Sequence, residues 1–123
     1  MAAAYLESVV PPVLVGVGGA LGALGRFAVT RYVPAETFPL GTLVVNVLGS
    51  FLLGLVTFAG AGEGLLLFVG VGVCGSFTTF SSFSVETVRL FERGRHWRGA
   101  GNALGTLVAS GLAVGLAWLL VNG

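Results

Sequence analysis

Hydrophobic positions along this chain gather into long blocks rather than into the short alternations of a soluble domain. Four runs of about 20 mostly apolar residues, the length of a membrane-spanning helix, follow one another. The short stretches between them hold nearly all the charge and most of the proline. The first run extends from about Pro11 to Thr30 and ends near Arg31, Tyr32 and Pro34. Pro11 and Pro12 suit its first turn, where a missing amide proton costs little. The second starts near Pro39 and reaches about Gly60, inside an uncharged stretch from Thr37 to Gly62. Residues 60 to 64, Gly-Ala-Gly-Glu-Gly, read as a tight turn. The third run begins near Leu65 and stays uncharged to Val85, then leaves through an amphipathic, charged segment containing Glu86, Arg89, Phe91, Glu92, Arg93, Arg95, His96, Trp97 and Arg98. The fourth occupies about Asn102 to Val121. The expected fold is an all-α membrane protein, residues 1–123 forming a single unit of four transmembrane helices. Trp97 and Trp118 fall where an interfacial aromatic belt is expected.

Composition strengthens this picture. The chain is 55% hydrophobic and only 9% charged, against about 25% charged in a soluble domain. A formal charge of +1, with no lysine and no aspartate, is too small to suggest a nucleic-acid surface or a broadly acidic partner. One cysteine, Cys74, forms no internal disulfide, and no cluster of thiols or histidines has zinc or iron–sulfur spacing. The N-terminus lacks the basic region of a secretory signal, so the first apolar run is expected to stay in the mature protein. No internal repeat is present, and a pore with two-fold symmetry would need a second polypeptide. Small residues four apart predict close helix contacts at Gly18 and Gly22, Ser50 and Gly54, Gly101 and Gly105, and Gly111 and Gly115.

Polar residues inside the apolar runs carry the candidate chemistry. Thr42, Asn46 and Ser50 recur every four residues in the second run, each about 40° around the helix from the last, and form one stripe. Asn102, Thr106 and Ser110 repeat that spacing in the fourth. Unpaired polar groups are costly in hydrocarbon, so both columns should face protein or water; interhelical hydrogen bonding and an ion path are the two uses open to them. Between Ser76 and Ser84 the third run places six hydroxyls and three phenylalanines. Gly75, Ser76 and the Thr78–Thr79 pair weaken helix locally and predict a break near its middle. A break there frees carbonyls able to hold a small cation. Phe77, Phe80 and Phe83 are spaced by three, and the positive edge of an aromatic ring suits an anion as well as a packed core. Arg26 continues the spacing of Gly18 and Gly22 inside the first run, where it either snorkels to the interface or attracts anions. Glu86 and Arg89, one turn apart, are expected as an exposed ion pair, and His96 with its neighbouring arginines as a solvated loop.

With these residues in place the chain resembles the Fluc or CrcB family of small fluoride channels over essentially its whole length. The resemblance rests on Gly18-Gly-Ala-Leu-Gly-Ala-Leu-Gly-Arg26, on Gly41-Thr-Leu-Val-Val-Asn46 with Gly49-Ser-Phe51, and above all on Gly75-Ser-Phe-Thr-Thr-Phe-Ser-Ser-Phe83. It implies an antiparallel dimer with two fluoride paths and a central sodium ion that is structural rather than transported. It implies that Gly75 and Thr78 offer backbone carbonyls to that sodium. Asn46 is then a fluoride-path donor, Phe80 and Phe83 line the paths with ring edges, and Thr106 and Ser110 continue a polar track, with Thr79 and Arg26 on the same route. Asn102 replaces the aromatic residue expected at the head of the track, Ser76 stands where glycine is usual, and Ser82 replaces a usual threonine. The implied purpose is passive export of fluoride from the cytoplasm.

The alternative is a small multidrug-type exporter, also four helices in antiparallel dimers, which would need a membrane-embedded glutamate. Glu7, Glu36, Glu63, Glu86 and Glu92 are all expected at or beyond helix ends. A non-transporting scaffold leaves the hydroxyl columns without a use. An enzyme would need a buried nucleophile and base or a metal cluster, and no such set is present. Five basic residues, Arg31, Arg89, Arg93, Arg95 and Arg98, sit in or beside the first and third connections. The positive-inside rule then puts both termini outside the cell and favours a related second chain of opposite bias as partner over a homodimer.

Overall fold

The computed structural model describes residues 2–33 and 38–123; Pro34 and Glu36, in the first connection, lie outside the described residues. Helix α1 is Ala2–Tyr32, α2 is Leu40–Phe58, and the third span, Glu63–Glu92, divides into α3 (residues 63–77) and α4 (Phe80–Glu92) before α5, His96–Asn122. No strand occurs among the described residues. The four spans are each long and apolar enough to cross a bilayer. The chain is thus an all-helical, multi-pass membrane protein with a broken third helix.

Three boundaries differ from expectation. Helix α1 starts at Ala2, so Pro11 and Pro12 sit inside the helix instead of in its first turn. Its 31 residues give a length of about 46 Å against a hydrocarbon core of about 30 Å. The helix therefore exceeds the apolar layer by about three turns. Helix α5 starts at His96, so His96, Trp97 and Arg98 form an exposed first turn rather than an irregular loop. The break, expected at Gly75 to Thr78, falls at Thr78 and Thr79, the extended residues; Gly75 is still helical at φ −61° and ψ −32°.

The two tight connections share one device. Gly60 (φ 69°) and Gly94 (φ 74°) adopt the left-handed conformation that glycine enters without a Cβ penalty. At the end of α2, Ala61 N–H reaches Val56 C=O and Gly60 N–H reaches Thr57 C=O. At the end of α4, Arg95 N–H reaches Leu90 C=O and Gly94 N–H reaches Phe91 C=O. Both are Schellman closures, which satisfy carbonyls that a helix end otherwise leaves open.

Helix α1 packs mainly on α3, and α2 mainly on α5. Gly18 and Gly22 let α1 touch main chain, because a Cβ at either position would collide with the carbonyl oxygens of Phe68 and Val73. Gly72 answers from α3, where a Cβ would stand 2.9 Å from Gly18 Cα. The facing stretch of α3, Leu66–Cys74, is wound as a π-helix. Gly54 admits Ala117 of α5, and Gly49 admits the methyl of Thr78. At Gly101, Gly105, Gly111 and Gly115 a Cβ would meet nothing within 4 Å, so these glycines of α5 pack against no other helix among the described residues. Large apolar side chains such as Leu24, Phe27, Leu104, Leu112 and Leu120 point outward, as lipid contact requires.

Contact through Gly22 is the clearest test of this packing. Gly22→Ala is expected to lower stability by about 1–3 kcal/mol through overpacking. Gly16→Ala, at an open position, should leave it unchanged or slightly raised. Thermal unfolding in detergent decides, and equal melting temperatures for the two variants would contradict the α1–α3 contact.

Candidate functional site

The site is built where the third span leaves its helix. Asn46, on α2, brackets the peptide groups of Thr79: its Oδ1 accepts the Thr79 N–H at 2.8 Å, and its Nδ2 donates to the Thr79 carbonyl at 3.2 Å. The amide orientation follows from chemistry, since a main-chain N–H only donates and must meet the oxygen. Thr79, only 7% exposed, then caps α4 by accepting the Ser82 N–H on its Oγ1 at 3.1 Å. Thr78 closes α3 by donating both its N–H (3.0 Å) and its Oγ1–H (2.9 Å) to the Cys74 carbonyl.

These bonds redirect two donors. In an unbroken helix Thr79 N–H would bond to the Gly75 carbonyl and Ser82 N–H to the Thr78 carbonyl. Their diversion to Asn46 Oδ1 and Thr79 Oγ1 releases the carbonyls of Gly75 and Thr78 from their helical partners. Such carbonyls are hard oxygen donors suited to a small cation. No group of three or more His, Cys, Asp or Glu side chains forms a metal cluster among the described residues.

A groove of about 380 Å³ opens at the break. It gathers Gly75, Thr78, Thr79, Phe80 and Phe83 from the third span, Asn46 from α2, and Thr106 and Ser110 from α5. Arg26 is not among its lining residues; it stays half-buried on α1. Phe80 and Phe83 stand with ring centroids 6.0 Å apart and planes 42° apart. Phe80 is 80% exposed, so one wall of the groove is open. Phe77 turns the other way, against Gly25 of α1, and serves packing. Leu53, Gly70, Cys74 and Leu107 also line the groove, and sequence reasoning missed them. Their signal was helical spacing: Leu53 and Leu107 lie three residues from Ser50 and Ser110, and Gly70 and Cys74 precede Thr78 at intervals of four.

The two polar columns prove divided in use. Toward the end of the bundle that carries the first and third connections they bond to α4: Thr42 Oγ1 donates to Glu86 Oε1 at 2.9 Å, and Asn102 Nδ2 donates to Thr87 Oγ1 at 2.8 Å. Thr106 Oγ1 lies 3.5 Å from Asn102 Oδ1. Further along, Ser50 and Ser110 face the groove. Glu86 corrects two expectations. It lies within α4 rather than at a helix end, and it turns inward to Thr42 rather than forming an exposed pair. Its second oxygen, Oε2, is buried with no hydrogen-bond partner. Beside it a smaller cavity of about 220 Å³ is bordered by Ser81, Ser82, Val85 and Arg89.

The pattern described as "CrcB-like protein, Camphor Resistance (CrcB)" matches residues 13–118, which include every residue of the break and the groove. The chain belongs to the CrcB family. Among its relatives, the fluoride-specific ion channel FluC 2 of Haloarcula marismortui is 60% identical over 109 residues, covering 89% of this chain and 92% of that one. FluC 1 of Halobacterium salinarum is 55% identical, covering 90% and 93%, and FluC of Opitutus terrae 46% identical, covering 89% and 90%. The CrcB family and these names indicate an ion channel and not an enzyme.

The cap on α4 generates a prediction separate from any transport role. Thr79→Val keeps the shape but removes the acceptor for Ser82 N–H, and should lower stability by about 0.5–2 kcal/mol. An unchanged unfolding temperature in detergent would show that the cap contributes nothing.

Proposed function

We propose that this CrcB-family chain is one subunit of a passive, fluoride-selective channel that lowers cytoplasmic fluoride. The observation that carries it is the convergence of amide, hydroxyl and phenylalanine groups on one groove at membrane depth, in a chain whose relatives are named fluoride-specific channels. Fluoride is small and strongly hydrated, and leaves water only for donors that replace its shell. Asn46 keeps one Nδ2 hydrogen beyond the one given to Thr79, and Thr106, Ser110 and the edges of Phe80 and Phe83 continue the donor set. Fluoride efflux from liposomes containing the purified protein should greatly exceed chloride efflux and proceed without a pH gradient. Phe80→Ile and Phe83→Ile, which keep most of the volume, should each slow it by at least about tenfold, or ~1.4 kcal/mol on the barrier. Chloride efflux equal to fluoride efflux would sink the proposal. Flux that requires a proton gradient would instead favour the exporter, to which the inward-facing Glu86, with its buried Oε2, lends its one supporting feature.

The open wall of the groove argues for a second subunit, because polar side chains facing hydrocarbon are costly and a partner over Phe80 would shield them. The released carbonyls of Gly75 and Thr78 are the donors we assign to a structural sodium ion, with a matching pair from the partner. Depleting sodium should weaken the assembly or its activity without revealing a sodium current; full activity after exhaustive depletion contradicts the assignment.

Orientation follows from charge. Arginines are confined to the end of the bundle bearing the first and third connections, which the positive-inside rule places in the cytoplasm, with both termini outside. In an antiparallel pair the partner is then a related chain of opposite bias, with a homodimer as the alternative. A tag on the C-terminus of intact cells should be reachable from outside only. Comparable inner and outer populations would show that the bias is overridden, as the homodimer requires.

A further inference from the structure

We propose that the turn between α4 and α5 is a docking surface for anionic phospholipid headgroups, held in shape by the fold. All six arginines of the chain lie in the half of the bundle that carries the first and third connections, whereas Glu7 and Glu63 are, among the described residues, the only charged side chains toward the other end. Within residues 89–98 four of these arginines, Arg89, Arg93, Arg95 and Arg98, are exposed, and Glu92 is the one exposed acid among them. Glu86 turns inward to Thr42 and borders the smaller cavity together with Arg89, so Arg93, Arg95 and Arg98 are the arginines left to the surface.

Two further observations turn a charged loop into a surface. Trp97 is 90% exposed at the start of a membrane-spanning helix, the level at which an indole rests among headgroups. The turn is also closed by its own contacts. Gly94 closes the end of α4, the rings of Phe91 and His96 meet at 5.6 Å, and Gly99 is buried against Phe91, where a Cβ would stand 2.7 Å from the ring. Arg93, Arg95 and Arg98 are therefore displayed beside Trp97 from a fixed backbone, and docking does not require ordering the chain first. At the same end the Arg31 guanidinium lies over the Tyr32 ring at 5.9 Å, a second cationic and aromatic pair at headgroup level. Phosphodiester groups at the membrane surface match this charge and depth. The surface is separate from the groove and does not depend on what the groove conducts.

The test reads lipid at Trp97 directly. Trp118→Phe leaves Trp97 as the sole tryptophan. The protein is placed in phosphatidylcholine vesicles carrying, at equal mole fraction, brominated phosphatidylglycerol or brominated phosphatidylcholine. Quenching should report at least about fivefold enrichment of phosphatidylglycerol over phosphatidylcholine, the effect of a single arginine near a charged surface. The enrichment should fall with added salt and disappear in the Arg93→Gln, Arg95→Gln, Arg98→Gln triple variant, which unfolds in detergent at the temperature of the parent. Equal quenching by the two lipids overturns the proposal, as does a preference that survives the triple substitution. The salt titration decides the electrostatic origin on the unsubstituted turn: an enrichment insensitive to salt also overturns it.

Discussion

A main chain that leaves its helix inside a bilayer must find new partners for its amide and carbonyl, since no water is there to take them. In this protein the side chain of Asn46 supplies both for Thr79, at 2.8 and 3.2 Å. An amide carries its acceptor and its donor on separate atoms, so Asn46 meets the Thr79 N–H with Oδ1 and the Thr79 carbonyl with Nδ2 at once. What the helix loses at Thr79 is recovered from α2 rather than from solvent.

Much else follows from that pairing. Thr79 is freed to cap α4, and the cap in turn takes the N–H that Thr78 would have received. The break changes the direction of the chain so that Phe77 packs on α1 while Phe80 and Phe83 reach the groove. Close approach of the neighbouring helices is a precondition. Gly49 leaves room for the Thr78 methyl, and Gly18, Gly22 and Gly72 seat α3 directly on α1. Farther along α4, Thr42 and Asn102 hold it from two sides through Glu86 and Thr87.

The membrane class and the four spans were legible because hydrocarbon imposes a length and forbids charge, constraints that write themselves into composition. The hydroxyl columns and the Gly75–Ser84 run marked the right face of each helix, and the groove gathers most of the residues they pointed to. Partner choice was not legible. Spacing placed Asn46 on a polar stripe but held no information that its amide would be committed to Thr79, because that depends on the depth at which α2 meets the break. Glu86 was misplaced for the same reason: its i,i+3 relation to Arg89 is visible in sequence, whereas Thr42 is 44 positions away. The outer boundaries of α1 and α5 escaped because both helices continue beyond the apolar runs, where hydropathy no longer reports helix.

In the proposed channel Asn46 makes the break usable for an ion, by holding its backbone and by presenting one remaining N–H. Fluoride efflux from liposomes containing Asn46→Ala or Asn46→Asp protein, each first confirmed to be folded and assembled as the unsubstituted protein is, tests this role without intermediaries. Alanine removes both bonds to Thr79, and aspartate keeps an acceptor while losing the donor. Efflux should be abolished or strongly reduced in both. Efflux at the unsubstituted rate through either verified assembly would contradict the role given to Asn46.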